Sequence, residues 1–393
     1  MADRAEDDLT AAVHAGETPG PETGALDPPI VQASAFAFRN AAEAAACFEG
    51  QRDGYIYTRW GNPTVRALEE KMARLEGAEA AAAFSSGMAA VHAALTCGLS
   101  TGDHVVAPRA LYAETAVLLR EYLPRFGIRT SFVDATRAEA IEAALEERTR
   151  CLYVETPANP TLAVTDLEAA AQLASSAGAR LVVDNTFATP WHQKPLSWGA
   201  DLVVHSATKA LCGHGDAIGG IVCGRAELVE AARRQGARTL GAVLAPMNAW
   251  LIARGMKTLG VRMAQASASA LTLARRLASD RRIARVHYPG LETHPAYAVA
   301  RRQMVRGYGA VLAFEVAGGL EAARRAYDRF ELVTRAVSLG DVRTLVTHAA
   351  STTHHSMPRE DRLVAGISDG LMRLAVGIEA VEDLWRDLDR ALG

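Results

Sequence analysis

The chain has 393 residues, of which 49% are hydrophobic and 22% charged, and these ordinary globular values exclude a disordered or fibrous protein. Lysine and arginine number 42 against 45 aspartate and glutamate residues, so the net charge of -3 gives no general electrostatic reason to bind nucleic acid. The length predicts two or three structural units. Basic pairs such as Arg233-Arg234 are interleaved with apolar residues at helical spacing, and we interpret them as solvated helix faces.

The cysteines favour a reducing compartment. All 5 are far apart, none forms a CxxC pair, and their number is odd, which indicates buried thiols rather than a disulfide framework or a zinc site. The acidic N-terminal sequence lacks the apolar segment of a secretory signal. The most apolar window, residues 78–99, is rich in alanine and interrupted by polar residues, so we expect no membrane span. These features predict a soluble cytoplasmic protein.

The N-terminal region, residues 1–55, shows no sustained hydrophobic period and carries several prolines and glycines. We predict an extended arm that lies against another surface. A helix follows it, with Asn62 as the N-cap, Pro63 in the first helical position and Gly77 at the end.

Short β-branched runs alternate with helical segments up to about residue 225. The predicted strands are Asp103–Ala107, Ile128–Val133, Cys151–Glu155, Arg180–Asp184, Asp201–His205 and Ile218–Cys223. The predicted helices include Ala138–Glu147 and Thr165–Ala177, the second with a capping box formed by Thr165 and Glu168. This alternation predicts an α/β fold with a mostly parallel central sheet covered on both faces.

The C-terminal part mixes helices and strands. After a helical region near residues 246–280, the pattern predicts strands at Gly309–Val316 and Leu371–Val376 and an amphipathic helix at Glu379–Leu392. We therefore predict a smaller C-terminal α+β domain at residues 251–393, preceded by a large α/β domain at residues 56–250.

Polar residues directly follow two of the predicted apolar strands. Val182-Val183 leads into Asp184, and Val203-Val204 leads into a short polar run that ends at Lys209. Ligands of α/β sheets bind beyond the carboxyl ends of strands. Taken alone, such an aspartate often caps a turn and such a lysine often lies on the surface. Together they favour pyridoxal phosphate, whose aldehyde forms a Schiff base with a lysine and whose ring nitrogen is kept protonated by a carboxylate.

A possible phosphate cradle precedes these strands. The segment Ser85-Ser86-Gly87-Met88 opens a helix, and Gly87 lets backbone N–H groups approach an anion at the positive end of that helix. An ordinary serine N-cap is the alternative, and it is the commoner explanation for this segment alone.

Longer segments match a known family: Tyr57–Thr64, Ser85–Ala89, Glu155–Thr161, Asp184–Pro190 and Gly199–Lys209. With these segments the chain resembles the cysteine/methionine-metabolism group of pyridoxal-phosphate enzymes, which includes cystathionine γ-synthase, cystathionine and methionine γ-lyases and O-acetylhomoserine sulfhydrylase. The resemblance implies the fold-type I transferase fold, pyridoxal 5'-phosphate as cofactor, bound by the large domain, and a homo-oligomer in which dimers share sites within a tetramer.

The resemblance also implies roles for individual residues around the cofactor. Lys209 is similar to the Schiff-base lysine that afterwards moves protons on the substrate, and Asp184 to the carboxylate that pairs with the ring nitrogen. Asn159 is similar to the residue near the ring hydroxyl. The further cofactor-binding residues of the same subunit are Ser86, Gly87, Met88, Ser206 and Thr208.

Other implied roles concern the substrate and the neighbouring subunit. Tyr57 and Arg59 resemble residues that reach the phosphate bound by the neighbouring subunit, and Tyr57 also contacts substrate. Tyr112 resembles the aromatic residue that stacks on the cofactor ring and exchanges a proton with the γ leaving group. Arg373 resembles the clamp for the substrate α-carboxylate, helped by the backbone around Ser338. The strand pattern agrees, because Met372, Leu374 and Val376 form one apolar face and Arg373 points the other way. Without the resemblance, a solvent-exposed strand face is the commoner explanation for such an arginine.

Three histidines, His348, His354 and His355, lie within one short stretch without a nearby cysteine or carboxylate ligand. We expect no metal there. The stretch resembles the substrate-pocket loop of the family, so we interpret these residues as polar pocket residues.

Two departures from the family pattern bear on the reaction. Glu114 stands where the family commonly has glycine and methionine γ-lyases have cysteine, and we place it among the substrate-binding residues; it either accepts a cationic group or pairs with a nearby arginine. Val337, the residue before Ser338, is similar to the residue that methionine γ-lyases have at this position.

We expect γ-elimination on methionine or a related homoserine derivative. The alternative is γ-replacement, of the cystathionine γ-synthase or sulfhydrylase type or in a specialised biosynthetic step. A non-catalytic pyridoxal-phosphate protein is disfavoured because the lysine, aspartate, tyrosine and arginine occur together.

Overall fold

Two β-sheets organise the chain. In the computed structural model, which describes residues 7–20, 23–355 and 357–393, one sheet has seven strands and the other five. The seven-stranded sheet comes first in the sequence and the five-stranded sheet lies in the C-terminal part. This confirms the predicted α/β class with a smaller C-terminal α+β portion; the exact domain boundaries stay a prediction.

The large sheet is mostly parallel. Its order is β1-β7-β6-β5-β4-β2-β3, and only β7 runs antiparallel to its neighbours β1 and β6. The strands are β1 (Ala80–Phe84), β2 (His104–Pro108), β3 (Arg129–Val133), β4 (Thr149–Glu155), β5 (Arg180–Asp184), β6 (Leu202–Ser206) and β7 (Gly220–Gly224). The predicted strands are therefore confirmed, with small shifts at their ends.

Strand β1 was not predicted, because its four alanines are weak strand formers. Its side chains alternate between two buried cores: Ala82 and Phe84 on one side, Ala81 and Ala83 on the other. Burial on both faces, rather than intrinsic propensity, accounts for this strand.

Helices cover both faces of the large sheet and one face of the small one. The helices are α1 (Asp8–His14), α2 (Ala41–Phe48), α3 (Pro63–Glu76), α4 (Gly87–Thr96), α5 (Ala113–Val117), α6 (Ala138–Glu142), α7 (Leu167–Ser176), α8 (Thr189–His192), α9 (Ala226–Ala232), α10 (Pro246–Met256), α11 (Leu259–Ala278), α12 (Tyr297–Gln303), α13 (Gly319–Arg329), α14 (Arg359–Val364) and α15 (Val381–Leu392). Within the described residues, no helix combines the length and apolar character that a membrane crossing needs.

Two helix predictions are wrong in detail. Helix α7 is capped by Asp166, whose Oδ1 accepts hydrogen bonds from the backbone of Glu168 at 3.2 Å, and the predicted cap Thr165 is buried before the helix. The helix predicted at Ala138–Glu147 ends at Glu142, since the following turn leads the chain into β4. The two ends of α3 are as predicted. The side chain of Asn62 accepts a hydrogen bond from the backbone N–H of Thr64, and Gly77 ends the helix at φ 70°.

The small sheet has the order β10-β11-β12-β9-β8. Its strands are β8 (Ile283–His287), β9 (Val311–Val316), β10 (Thr334–Arg335), β11 (Leu345–His348) and β12 (Leu371–Ala375). Along β12, Met372 and Leu374 face a core closed by the C-terminal helix. Arg373 therefore lies on the opposite face, as its position in the sequence predicts.

The N-terminal region differs from the predicted extended arm, because it contains helices α1 and α2. Helix α1 packs on the large domain through Ala11 and Ala12. The fully buried Lys71 of α3 fixes it: its Nζ donates to the carbonyl oxygen of Ala12 at 2.8 Å and pairs with Glu17 at 3.2 Å. Burial lowers the pKa of Lys71, opposed by the charge of Glu17. The contact of the arm with another subunit stays a prediction.

We expect Lys71→Met to lower the melting temperature, because it leaves the buried carbonyl oxygen of Ala12 without its donor and the carboxylate of Glu17 with Lys257 alone, at a cost of about 1–3 kcal/mol. The matched control is Lys194→Met, which removes the more exposed ion pair of α1 with Asp8 and should cost about 1 kcal/mol or less. Calorimetry measures both. Equal melting temperatures for the two variants would contradict the anchoring role of Lys71.

Candidate active site

A cavity of about 330 Å³ lies at the carboxyl edge of the parallel strands, against the small sheet. Asp184 ends β5 and Ser206 ends β6, so the topology of the sheet brings them to the same edge. Most of the site residues predicted from the sequence line this one cavity, and they are Ser86, Gly87, Met88, Tyr112, Asn159, Asp184, Ser206, Thr208, Lys209, Ser338 and Arg373.

Lys209 supplies an amine to the cavity. It lies in the turn after β6, where its backbone N–H donates to Ser206 at 3.2 Å. Its Nζ donates to Oγ of Ser338, a residue of the C-terminal part, at 2.8 Å. Burial and the charge of Arg373 lower the pKa of Lys209 to about 8. The neutral amine, which is the form that attacks an aldehyde, is therefore more populated near neutral pH than in an ordinary lysine.

Asp184 supplies a buried carboxylate. Its side chain accepts from the backbone of Thr186 at 3.0 Å and from the hydroxyl of Tyr153 at 3.3 Å. Burial raises the pKa of Asp184, while the hydrogen bonds from Thr186 lower it. A cationic ring nitrogen facing this carboxylate would stabilise its charged form.

The segment around Gly87 forms an anion cradle. Ser86 caps α4, its Oγ accepting from the backbone of Ala89 at 3.1 Å, so the first turn of the helix points into the cavity. A Cβ at Gly87 would lie 2.7 Å from Cβ of Ser206, so the close approach of these two segments requires glycine. An amine, a buried carboxylate and this cradle are the set of groups that pyridoxal phosphate needs, so the residues fit that cofactor.

Arg373 brings a positive charge into the same cavity. The residue is only 4% exposed, and its guanidinium donates from Nη1 to Oδ1 of Asn159 at 2.9 Å and from Nη2 to the carbonyl oxygen of Ser338 at 2.6 Å. Its Nε has no partner among the described residues. Burial lowers the pKa of Arg373 to about 10. A buried cation with neutral partners and a spare donor is suited to bind a carboxylate.

The contact of Ser338 with Arg373 depends on an unusual backbone conformation. Ser338 has φ 94°, in the region that non-glycine residues rarely adopt. This conformation directs its carbonyl oxygen to Arg373 and its hydroxyl to Lys209. Backbone strain of this kind persists where surrounding contacts maintain it, and it is typical of ligand sites.

Tyr112 lies at the mouth of the cavity, with 41% of its surface exposed. It precedes α5 as the N-cap residue. Burial raises the pKa of its phenol, the charges of Glu114 and Glu155 raise it further, and Arg373 opposes them. The phenol is therefore protonated near neutral pH.

Three predicted residues do not line the cavity. Glu114 is exposed beside Tyr112, and it forms no ion pair with an arginine among the described residues. Arg59 stacks on Tyr57 and Trp60, each ring centroid 5.6 Å away, and donates to the carbonyl oxygen of Arg238. It lines a separate groove of about 410 Å³. The roles of these three residues stay predictions.

The sequence interpretation missed Glu155 as a site residue. It ends β4, lies opposite Asp184 in the register of β4 and β5, and lines the cavity. Burial and the charge of Asp184 raise its pKa, while the backbone N–H groups of Asn159 and Tyr112 stabilise the carboxylate and lower it. Its position was a usable signal, because Glu155 follows an apolar strand as Asp184 does. The other unpredicted lining residues are Val91, Thr115, Thr186, Phe187, Ile218, Leu339 and Thr353.

The three histidines lie at the end of β11 and in the segment that follows it, and each makes a hydrogen bond to a residue at most three positions away. His348 contacts Oγ of Ser351 at 2.8 Å, and the buried His354 contacts Oγ1 of Thr353 at 2.9 Å. His355 is exposed. Of residues 347–355, Thr353 lines the cavity and the three histidines do not, so the interpretation of the histidines as pocket residues is wrong.

The fold and the site define a fold-type I pyridoxal-phosphate enzyme. The family model for Cys/Met metabolism PLP-dependent enzymes matches residues 9–393, and the chain belongs to that family. It is 47% identical over 385 residues to an L-methionine gamma-lyase from Fusobacterium nucleatum, covering 98% of this chain and 97% of that protein. It is 44% identical over 383 residues to an O-succinylhomoserine sulfhydrylase from Pseudomonas aeruginosa, covering 98% and 94%. The crystal structure of metB from Corynebacterium glutamicum superposes with a TM-score of 0.93 at 39% identity, covering 98% of each chain.

We expect Lys209→Ala to lose the visible absorption band of lysine-bound pyridoxal phosphate, because the substitution removes the amine from the cavity. Lys194→Ala, which changes a partly exposed lysine outside the cavity, should keep the band. The spectrum of each purified protein with added cofactor is the measurement. A borohydride-reducible band that persists in Lys209→Ala would overturn the assignment of the lysine.

Proposed function

We propose that the chain catalyses pyridoxal-phosphate-dependent γ-elimination on L-methionine or a related homoserine-derived amino acid. The observation that carries the proposal is the convergence of Lys209, Tyr112 and Arg373 on one cavity. A base, a proton donor and a carboxylate clamp are the groups that this reaction requires. The relatives named L-methionine gamma-lyase, at 43 to 47% identity, support it.

The cofactor, when bound, supplies the electron sink for deprotonation of the substrate. Arg373 holds the α-carboxylate, with Nε as an additional donor. The neutral amine of Lys209 takes protons from the α- and β-carbons, since its lowered pKa keeps it competent as a base. Tyr112 donates a proton to the departing γ-substituent, since its raised pKa keeps the phenol protonated.

The wall of the cavity favours a thioether substrate. Val337, Leu339 and Phe187 contribute apolar side chains to its lining. An apolar wall suits the methylthio group of methionine better than the charged second amino-acid group of cystathionine.

The second candidate is γ-replacement, in which a nucleophile is captured at the γ-carbon. The same lysine, tyrosine and arginine serve both outcomes. The exposure of Tyr112 at the mouth of the cavity gives a nucleophile a route to the γ-carbon, and the sulfhydrylase relative supports this candidate.

The proposed assembly is a homo-oligomer, with dimers that share sites within a tetramer, in the cytoplasm. Tyr57 is 39% exposed and, with Arg59, lies outside the cavity of its own chain. We assign both residues to the phosphate site of a second copy. In this proposal each chain consists of an N-terminal arm (1–55) that contacts another subunit, a large cofactor-binding domain (56–250) and a small domain (251–393). The remaining proposed cofactor contacts are Ser86, Gly87, Met88, Asn159, Asp184, Ser206 and Thr208, and the remaining proposed substrate contacts are Glu114 and Ser338.

Incubation of the cofactor-loaded protein with L-methionine tests the reaction, with mass spectrometry of the products. We expect 2-oxobutanoate and methanethiol, and a γ-thioether product when a second thiol is added. A thiol adduct without any 2-oxobutanoate would establish replacement instead of elimination. No turnover of methionine would overturn the proposed substrate.

We expect Arg59→Ala to weaken pyridoxal phosphate binding by about 10- to 100-fold, because charge-assisted hydrogen bonds to a dianion contribute roughly 1.5–3 kcal/mol. Arg66→Ala is the control, since Arg66 lines the same groove but pairs with Asp53 and Glu70. Equilibrium dialysis of the cofactor measures both affinities.

A mixing experiment tests whether the site is shared. Arg59→Ala and Lys209→Ala chains, each of low activity, should regain activity when they are unfolded and refolded together, since one site of each mixed dimer then has both native residues. Failure of the mixture to exceed the sum of the separate activities would contradict a shared site.

A further inference from the structure

The carboxylate of Glu155 joins two loops at the edge of the large sheet. Its Oε2 accepts from the backbone N–H of Tyr112, in the loop after β2, at 2.9 Å. Its Oε1 accepts from the backbone N–H of Asn159, in the loop after β4, at 2.7 Å. The side chain is only 5% exposed, so little water competes for either bond.

Both loops carry groups of the cavity. Tyr112 presents its phenol at the cavity mouth, and Asn159 accepts from the guanidinium of Arg373 at 2.9 Å. Through these contacts one side chain connects the proposed proton donor with the proposed carboxylate clamp. No other described side chain accepts a hydrogen bond from the backbone of both loops.

We propose that Glu155 is a positioning residue of this active site: its two oxygens fix Tyr112 toward the leaving group and, through Asn159, Arg373 toward the α-carboxylate. The proposal rests on the roles given to Tyr112 and Arg373 in the proposed function. Glutamine in this position has one acceptor oxygen, and its amide group would face one of the two backbone N–H groups, donor against donor. One loop would then lose its tether.

The charge of Glu155 gives the proposal a second consequence. The charged groups that act on the phenol of Tyr112 are Glu114 and Glu155, which raise its pKa, and Arg373, which lowers it. In the alkaline range where the phenol titrates, Glu155 is ionised, and removing its negative charge favours the phenolate, so the pKa of Tyr112 falls. A purely structural contact elsewhere in the protein would not produce this change.

The experiment compares Glu155→Gln with the native holoenzyme. We expect kcat for methionine to fall by about tenfold or more, the order that follows from one buried donor left unpaired. The alkaline limb of the activity profile should move to lower pH. Ultraviolet difference titration, with Tyr112→Phe in both backgrounds as the reference, should show the Tyr112 phenol titrating at lower pH without any substrate present.

The matched control is Asp387→Asn. Asp387 is a buried carboxylate of the small domain that accepts from the backbone of Leu332 at 3.0 Å and of Val333 at 2.8 Å. This variant should lose thermal stability but keep the kcat and the Tyr112 titration of the native protein. An equal fall of kcat in Asp387→Asn would overturn the positioning role.

The variant Glu155→Asp distinguishes the effect of side-chain length from the effect of charge. It also replaces the glutamine variant as the test if that variant does not fold. The shorter carboxylate keeps the negative charge but does not span both N–H groups, so kcat should fall while the Tyr112 titration stays near native. Native kcat and native titration in Glu155→Gln would overturn the proposal. If the native protein does not turn over methionine, the proposed function fails, and the titration, which needs no substrate, still decides whether Glu155 acts on Tyr112.

Discussion

The buried guanidinium of Arg373 is the constraint on which the site depends. It reaches from β12 of the small sheet to Asn159 of the large domain, so it joins the two parts of the chain across the cavity. Its hydrogen-bond acceptors are neutral oxygens. Burying a cation without a paired carboxylate is costly, and an anionic substrate would supply the missing charge.

That cost explains why several features around Arg373 are arranged as they are. Ser338 adopts a rare backbone conformation to place its carbonyl oxygen against the guanidinium. The same residue accepts from Lys209, whose pKa is lowered by burial and by the nearby arginine. The clamp and the base are therefore coupled through one strained residue and through their charges.

The sequence was sufficient for the parts of the site that depend on local pattern. Asp184 and Lys209 follow apolar strands, and parallel strands bring their carboxyl ends to one edge, so their meeting follows from the topology. The alternation along β12 likewise places Arg373 opposite the apolar face. The roles of Tyr112 and Asn159 came only from the family resemblance, because nothing in their local pattern distinguishes them from ordinary loop residues.

The features that the sequence did not predict depend on tertiary contacts. Strand β1 is formed by alanines that become strand residues through burial on both faces. Helix α7 is capped by Asp166 because Thr165 is drawn into the protein, where its backbone donates to Oγ1 of Thr156 at 3.0 Å. Glu155 had a local signal, but its link to Tyr112 appears only when the loop after β2 is placed beside the end of β4.

Burial acts in opposite ways on the two groups that exchange protons in the proposed reaction, and both effects favour it. An apolar environment disfavours charge, so it lowers the pKa of the Lys209 amine and raises that of the Tyr112 phenol. Both groups are thereby shifted toward their neutral forms, the amine as a proton acceptor and the phenol as a proton donor. The proposed elimination needs both neutral groups: the amine takes protons from the α- and β-carbons, and the phenol donates a proton to the γ-substituent. A single cavity thus provides both a base and an acid in their neutral forms.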